Sequence, residues 1–280
     1  MRKMGVKKIR ETVTELCLKA NFELRKDILK ALRSALKKET GSRAGNILKS
    51  LIENAALAKK ERIAICQDTG FVSVHIELGS ALLLTGGELM DAINSGVEDA
   101  YKKGYLRKSV VSDSLLRKNT NTNTPCIIHI NIVKGDRIKI AVSPKGFGSE
   151  NKSAIKMLMP TASEKDIIDF VVEVARRAGP DACPPYILGV GIGGTFDHAA
   201  YLSKKALLRS IESNNQKKHF RKLEKDILKA VNSLRIGPMG LGGKSTALGV
   251  NIEEFSTHIA GLPVAVTVSC HATRSAERTL

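Results

Sequence analysis

Through the first 62 residues apolar side chains recur every three or four positions: Ile28-Leu29, Leu32 and Leu36, then Ile47-Leu48, Leu51-Ile52 and Ala55-Ala56. That period predicts helices that bury one stripe. At Phe71 the period changes, and Phe71, Val72, Val74, Ile76 and Leu78 predict a short strand. Gly86-Gly87 precedes another helical pattern that runs to about Lys103. Residues 105–124 carry no period and lead through a polar run, Asn119 to Thr124, to Pro125; an ordered loop is expected there. Strands are predicted near Cys126–Val133 and Arg137–Val142, with Gly135-Asp136 as the turn of a hairpin. Ser163 is placed to cap a helix running to about Arg177. The apolar run Tyr186–Ile192 opens a glycine cluster, and helices are predicted near 196–212 and 217–234. A glycine-rich loop occupies 237–243, and Val264 to Val268 reads as a strand that ends at Cys270.

Without a regular strand–helix–strand alternation or an internal repeat, the pattern predicts an α+β chain. Its N-terminal part is helix-rich, and its scattered strands form a small mixed or antiparallel sheet. No Pro/Ser-rich linker divides the 280 residues. They are read as one domain, with a basic helical region over 1–62 and a second region over 63–280. Nothing approaches the roughly 18 uncharged apolar residues of a membrane span. The basic N-terminus leads into charged helical sequence rather than an apolar signal segment. A cytoplasmic protein with no membrane contact is expected.

Charge adds a question. Residues 1–62 carry 17 Lys/Arg against 7 Asp/Glu, and residues 204–235 carry 10 against 3. These two surpluses account for the entire net charge of +17. Both lie on helical patterns where basic residues alternate with an apolar stripe, and aromatics are only 4% with no Trp. Base-stacking platforms are therefore poorly supplied, and solvated helix faces explain the charge better than nucleic acid does. An acidic partner chain is the next reading.

Two glycine motifs lack their required context. Gly189-Val190-Gly191-Ile192-Gly193-Gly194 fits a dinucleotide pattern, but no strand ending in an acidic residue follows about 20 positions later. A tight turn with close backbone approach is the expected role. Gly242-Gly243-Lys244-Ser245 resembles the end of a phosphate loop, yet Pro238 stands where its first glycine belongs.

Five cysteines without a C-x-x-C pair argue against both a disulfide framework and a zinc ribbon. Cys17 lies on an amphipathic helix and Cys126 in a predicted strand. The other three stand at loop boundaries among polar or rigid neighbours. Their segments are Cys66-Gln67-Asp68-Thr69-Gly70, Gly179-Pro180-Asp181-Ala182-Cys183-Pro184-Pro185 and Ser269-Cys270-His271-Ala272-Thr273-Arg274. Three such thiolates suit a [4Fe–4S] cluster whose fourth iron stays open; from the residues alone, buried or incidental cysteines remain the alternative.

Taken together with the Arg107 region, Asn119 to Pro125, Lys145 to Lys152, Gly179 to Gly194, Gly237 to Ser245 and His258 to Arg274, these segments resemble the α subunit of class I fumarate hydratase and L-tartrate dehydratase. The resemblance implies reversible addition of water to a small dicarboxylate, fumarate to L-malate or, as the alternative, L-tartrate to oxaloacetate. It implies a [4Fe–4S] cluster held by Cys66, Cys183 and Cys270, with one iron free of cysteine. It places Gln67, Asp68, Arg107 and His258 around the substrate, Asp68 handling the proton of the departing hydroxyl. A glycine of the Lys145–Ser149 loop joins them; Phe147 replaces the middle of three glycines, which leaves Gly146 and Gly148. Arg107 suits a carboxylate because its guanidinium forms two parallel hydrogen bonds. The plain alternatives are a surface ion pair for Arg107, a turn role for Asp68 and a core position for His258. Lys244 and Arg274 are further candidate anion contacts. Fused members continue into a second part after the last cysteine motif, so a separate β subunit completing the site is expected, in an α2β2 assembly. An electron-transfer iron–sulfur protein is the rival, and it would normally supply a fourth cysteine.

Overall fold

A computed structural model describes residues 2–280. In chain order its elements are β1 (Arg2–Gly5), α1 (Val6–Phe22), α2 (Lys26–Lys38), α3 (Ser42–Glu61), β2 (Phe71–Gly79), β3 (Leu82–Thr85), α4 (Leu89–Lys103), β4 (Ile127–Val133) and β5 (Ile138–Lys145). There follow α5 (Phe147–Glu150), β6 (Ala154–Leu158), α6 (Glu164–Ala178), β7 (Tyr186–Gly194), α7 (Phe196–Ala206), α8 (Lys218–Asn232), β8 (Ala247–Thr257), β9 (Leu262–Ser269) and β10 (Ala276–Thr279). The α+β class and the small mixed sheets match the expectation from sequence. Contacts divide the chain into two compact units. Among the described residues no helix is long and apolar enough to cross a membrane.

The first unit takes the chain up to Arg25, Ala55–Phe147 and Arg274–Leu280. Its four-stranded sheet runs β10-β5-β2-β4, and β1 pairs with β3 in a separate parallel pair. Alternate residues of β2 (Val72, Val74, Ile76) and β5 (Ile138, Ile140, Val142) are buried against α1 and α4, which contribute Ile9, Val13, Leu16, Ile93, Val97 and Tyr101. This is the two-residue period of a half-buried sheet meeting the 3.6-residue period of helices. The predicted hairpin does not form. β4 and β5 both exist, but β2 lies between them, parallel to β4 and antiparallel to β5. The Gly135-Asp136 turn instead crosses the end of β2, where Gly79 N donates to Arg137 O and Ala81 N to Gly135 O. Inserting β2 gives the ladder a third, strongly apolar strand, a gain that a local turn signal does not register.

The second unit comprises Lys26–Asn54 and Gly148–Thr273. Its sheet runs β6-β9-β7-β8, with β9 antiparallel to both β6 and β7, and β7 parallel to β8. One face packs on α6 and α8 through Phe170, Val174, Ile227 and Val231. The other receives α7 on the glycines of the rejected dinucleotide motif. A Cβ on Gly189 would stand 2.1 Å from Ser203 O, and one on Gly191 would stand 2.1 Å from Ala199 O. Those glycines bring a helix backbone against a strand. β7 is buried on both faces, which explains why it reads as an unbroken apolar run. Ser163 caps α6 as predicted, in a reciprocal box with Asp166. α7 stops at Ala206, short of the predicted 212. The strands β6 and β8 were not anticipated. The basic residues of α2 and α8 (Lys26, Lys30, Lys37, Lys218, Lys222 and Lys225 among them) are exposed opposite buried Ile28, Leu32, Leu223 and Ile227.

Replacing Gly191 by Val should force α7 away from β7 and destabilise the protein by about 3 kcal/mol. Gly261→Ala, where a Cβ meets nothing within 4 Å, should leave urea unfolding unchanged; equal midpoints for the two variants would contradict this packing.

Candidate active site

In the first unit the segment Cys66–Gly70 joins α3 to β2 without regular structure, so side chains must satisfy its backbone groups. Tyr101, fully buried on α4, donates its hydroxyl to Thr69 O at 2.6 Å and Gly70 O at 3.0 Å. Burial pushes its pKa above the ordinary tyrosine range, which keeps the hydroxyl a donor. Asn123, also fully buried, donates Nδ2 to Gly70 O at 3.2 Å and accepts Ser109 N at 2.7 Å. Gly70 has φ +84, and a Cβ there would stand 2.7 Å from Lys145 N, so no larger residue lets β5 approach.

This scaffold aims Asp68. Its Oδ1 accepts Gly70 N at 3.0 Å and its Oδ2 accepts Phe147 N at 2.8 Å. Its carbonyl accepts Arg274 Nη2 at 2.7 Å. Each carboxylate oxygen keeps a further lone pair for another donor. A Cβ on Gly146 would lie 3.0 Å from Asp68 Oδ2, whereas the nearest atom to one on Gly148 is Asp181 O at 3.5 Å. Of the two candidate glycines, Gly146 is therefore the neighbour of Asp68. Phe147 in place of glycine keeps its amide, and the amide is what Asp68 uses. Arg107 is exposed, and its carbonyl accepts Thr69 Oγ1 at 2.6 Å, so its backbone is tied to the Asp68 segment. Cys66 is half-buried, with its Sγ 3.2 Å from Gln67 Oε1.

Arg274 is 3% exposed, and its Nη1 donates to Asn21 Oδ1 at 3.2 Å. With Nη1 and Nη2 so engaged it braces the Asp68 segment. Lys244 likewise donates Nζ to Lys38 O at 3.0 Å, and its backbone N donates to Glu39 Oε2 at 2.7 Å, so the phosphate-loop resemblance ends in a helix C-terminus. Sequence reasoning missed Tyr101, Asn123 and Asn21. Asn123 stood in a recognised polar run, but nothing marked it as the buried member.

The second unit holds Cys183 and Cys270. Cys183 closes a 3₁₀ turn over Gly179–Ala182 and adopts the left-handed conformation, φ 50 and ψ 66, which costs a non-glycine residue about 1–2 kcal/mol. Surrounding contacts enforce it: Cys183 N donates to Pro180 O at 2.9 Å, and Cys183 O accepts His271 N at 3.2 Å. Cys270 follows β9, its carbonyl accepting Thr273 Oγ1 at 2.8 Å. Because β7 and β9 are antiparallel, with Ile187 opposite Ser269, Cys183 and Cys270 lie at the same end of the sheet. His258 lies at the other end. It sits exposed in the turn before β9, its Nδ1 accepting Ala260 N at 3.2 Å, and β9 then runs from Leu262 to Ser269, roughly 23 Å at the usual rise per residue.

Cys66, Cys183 and Cys270 are each half-buried, at loop ends where donors are positioned, while Cys17 and Cys126 are buried in the core. Each of the three is a half-exposed soft donor of the kind that iron–sulfur chemistry uses. Among the described residues no group of three or more His, Cys, Asp or Glu is gathered for a metal ion.

The fumarate hydratase (fumerase) family profile matches residues 10–279. A Methanocaldococcus jannaschii protein, provisionally named L(+)-tartrate dehydratase subunit alpha, is 42% identical over 277 residues, covering 96% of each chain. The L(+)-tartrate dehydratase subunit alpha of Escherichia coli K12 is 32% identical over 276 residues, 98% of this chain and 91% of that one. The protein of that name from Shigella sonnei matches to the same extent.

Burial holds the Cys126 thiol up to about 12 and raises Cys17 further, so neither forms thiolate at about pH 8. Iodoacetamide should label Cys66, Cys183 and Cys270 in the folded cluster-free chain and reach Cys17 and Cys126 only after denaturation, as peptide mass spectrometry will report.

Proposed function

Since the chain belongs to the fumarate hydratase (fumerase) family, we propose that it is the α subunit of a two-subunit, cytoplasmic hydro-lyase that adds water to, and removes it from, a four-carbon dicarboxylate. Fumarate and L-malate are the first reading, from the family. L(+)-tartrate is the second, favoured by the names of the relatives. The observation that carries the reading is the Asp68 carboxylate, held by Gly70 N and Phe147 N beside Gly146 and next to Cys66.

Cys66, Cys183 and Cys270 would hold the cluster. A [4Fe–4S] cluster with three thiolate ligands would supply a Lewis-acidic iron. Asp68, with one backbone hydrogen bond on each oxygen, retains acceptor capacity for the substrate hydroxyl and shuttles its proton. Phe147 N and Gly70 N keep that carboxylate oriented through the reaction. Arg107 offers an exposed guanidinium to a substrate carboxylate, and Gln67 adds a neutral amide. Gly146 leaves room against Asp68 where a side chain would intrude.

His258 constrains the assembly. A four-carbon acid bound next to Cys270 does not reach across the length of β9. If His258 touches substrate, it does so in the site of a second copy, which is a physical reason for two α chains in an α2β2 enzyme.

The test is an anaerobic assay of the chain with its β subunit on fumarate, L-malate and L(+)-tartrate. Turnover of one pair is expected, with Asp68→Asn lowering kcat by about 10²–10⁴-fold; no turnover of any of them would sink the proposal. Co-assembling His258→Ala and Cys270→Ala chains in equal amounts should restore about a quarter of the wild-type activity. A mixture as inactive as its components would place His258 outside the second copy's site.

A further inference from the structure

The loop between α4 and β4 is built as an arm. Thr120 N donates to Val110 O at 2.9 Å and Ser112 N to Lys118 O at 2.8 Å, with Val111 bridging Asn119 between them. At the tip, Asp113 Oδ1 accepts Leu115 N at 2.8 Å and Leu116 N at 2.6 Å, and Asp113 O accepts Arg117 N at 3.0 Å. These bonds fix Leu115 and Leu116 in solvent, 88% and 84% exposed. Two adjacent leucines presented on an ordered tip are an apolar surface awaiting cover.

The flanks say what covers it. Arg107, Lys108, Arg117 and Lys118 are exposed along the arm, and Asp113 is the one acidic residue of 105–124. The Asp113 carboxylate is already engaged by the two leucine amides. Four cations and one carboxylate leave the arm at +3 in a chain of +17, so two copies meeting tip to tip would repel. We propose that the Leu115–Leu116 tip docks the separate partner subunit, entering an apolar pocket rimmed by carboxylates on that chain. The inference rests on the two-subunit reading above and extends it, since the arm that docks also carries Arg107, whose carbonyl is tied to Thr69. Subunit contact and positioning of Arg107 are then one mechanical unit.

The test measures affinity of the full-length chain for its β subunit by titration calorimetry under argon. The double variant Leu115→Ser/Leu116→Ser should weaken Kd by about a hundredfold without moving the thermal midpoint of the isolated chain. Leu57→Ser, an exposed leucine on α3, should bind like wild type. Arg117→Glu/Lys118→Glu should slow association and reduce its salt dependence. Unchanged affinity of the double serine variant overturns the proposal. So does sedimentation showing that the isolated wild type self-associates through the tip while the variant stays monomeric, which would make a second copy the occupant. A tip-dependent complex that turns over neither fumarate nor tartrate supports the docking and sinks the proposed reaction. An active enzyme whose affinity ignores the tip does the reverse.

Discussion

The antiparallel ladder between β7 and β9 is the constraint on which the cysteine geometry depends. β7 begins just after Cys183 and β9 ends just before Cys270, with Ile187 opposite Ser269. In an antiparallel pair the start of one strand lies beside the end of its partner, so the ladder brings Cys183 and Cys270 to one end of the sheet. Register cannot drift. A slip of one residue would turn Val264, Val266 and Val268 away from α6 and α8 and drive side chains into the face where Gly189 and Gly191 admit α7. The same ladder sends His258 to the far end. One register thus gathers two thiols and excludes a histidine.

A different device holds Asp68. The segment around it has no ladder of its own, and its carbonyls are met by Tyr101, Asn123 and Arg274 from elements distant in sequence. Buried side-chain donors give an irregular segment the rigidity of regular structure, because leaving any of those carbonyls unpaired would cost about 1–3 kcal/mol. The carboxylate itself is oriented by two amides, which require no particular side chain. Phe147 therefore serves Asp68 through its amide alone.

The charge on α2 and α8 has a different setting from the charge on the 105–124 arm. α2 and α8 expose their lysines opposite a buried stripe. The smaller cluster on the 105–124 arm differs because Arg117 and Lys118 directly follow two exposed leucines and the arm is continuous with the Asp68 segment. Charge distributed over solvent repels copies of itself, whereas charge around an apolar tip selects a partner of opposite sign.

Local chemistry was enough to announce most elements. The period of Ile28 to Leu36, the alternation from Phe71 to Leu78, the Ser163 cap and the Val264–Val268 strand are all written in neighbouring residues, because helices and strands bury surfaces with fixed periods. Sequence motifs likewise singled out Cys66, Asp68, Cys183 and Cys270, since a polar or proline-rich setting is unusual for a core cysteine. What required the folded chain was every relation between distant segments. The insertion of β2 between β4 and β5, the choice of Gly146 as the neighbour of Asp68, the bracing role of Arg274 and the separation of His258 from Cys270 follow from strand order and register. Those are decided by the total apolar area buried across the chain, a quantity that no local window contains.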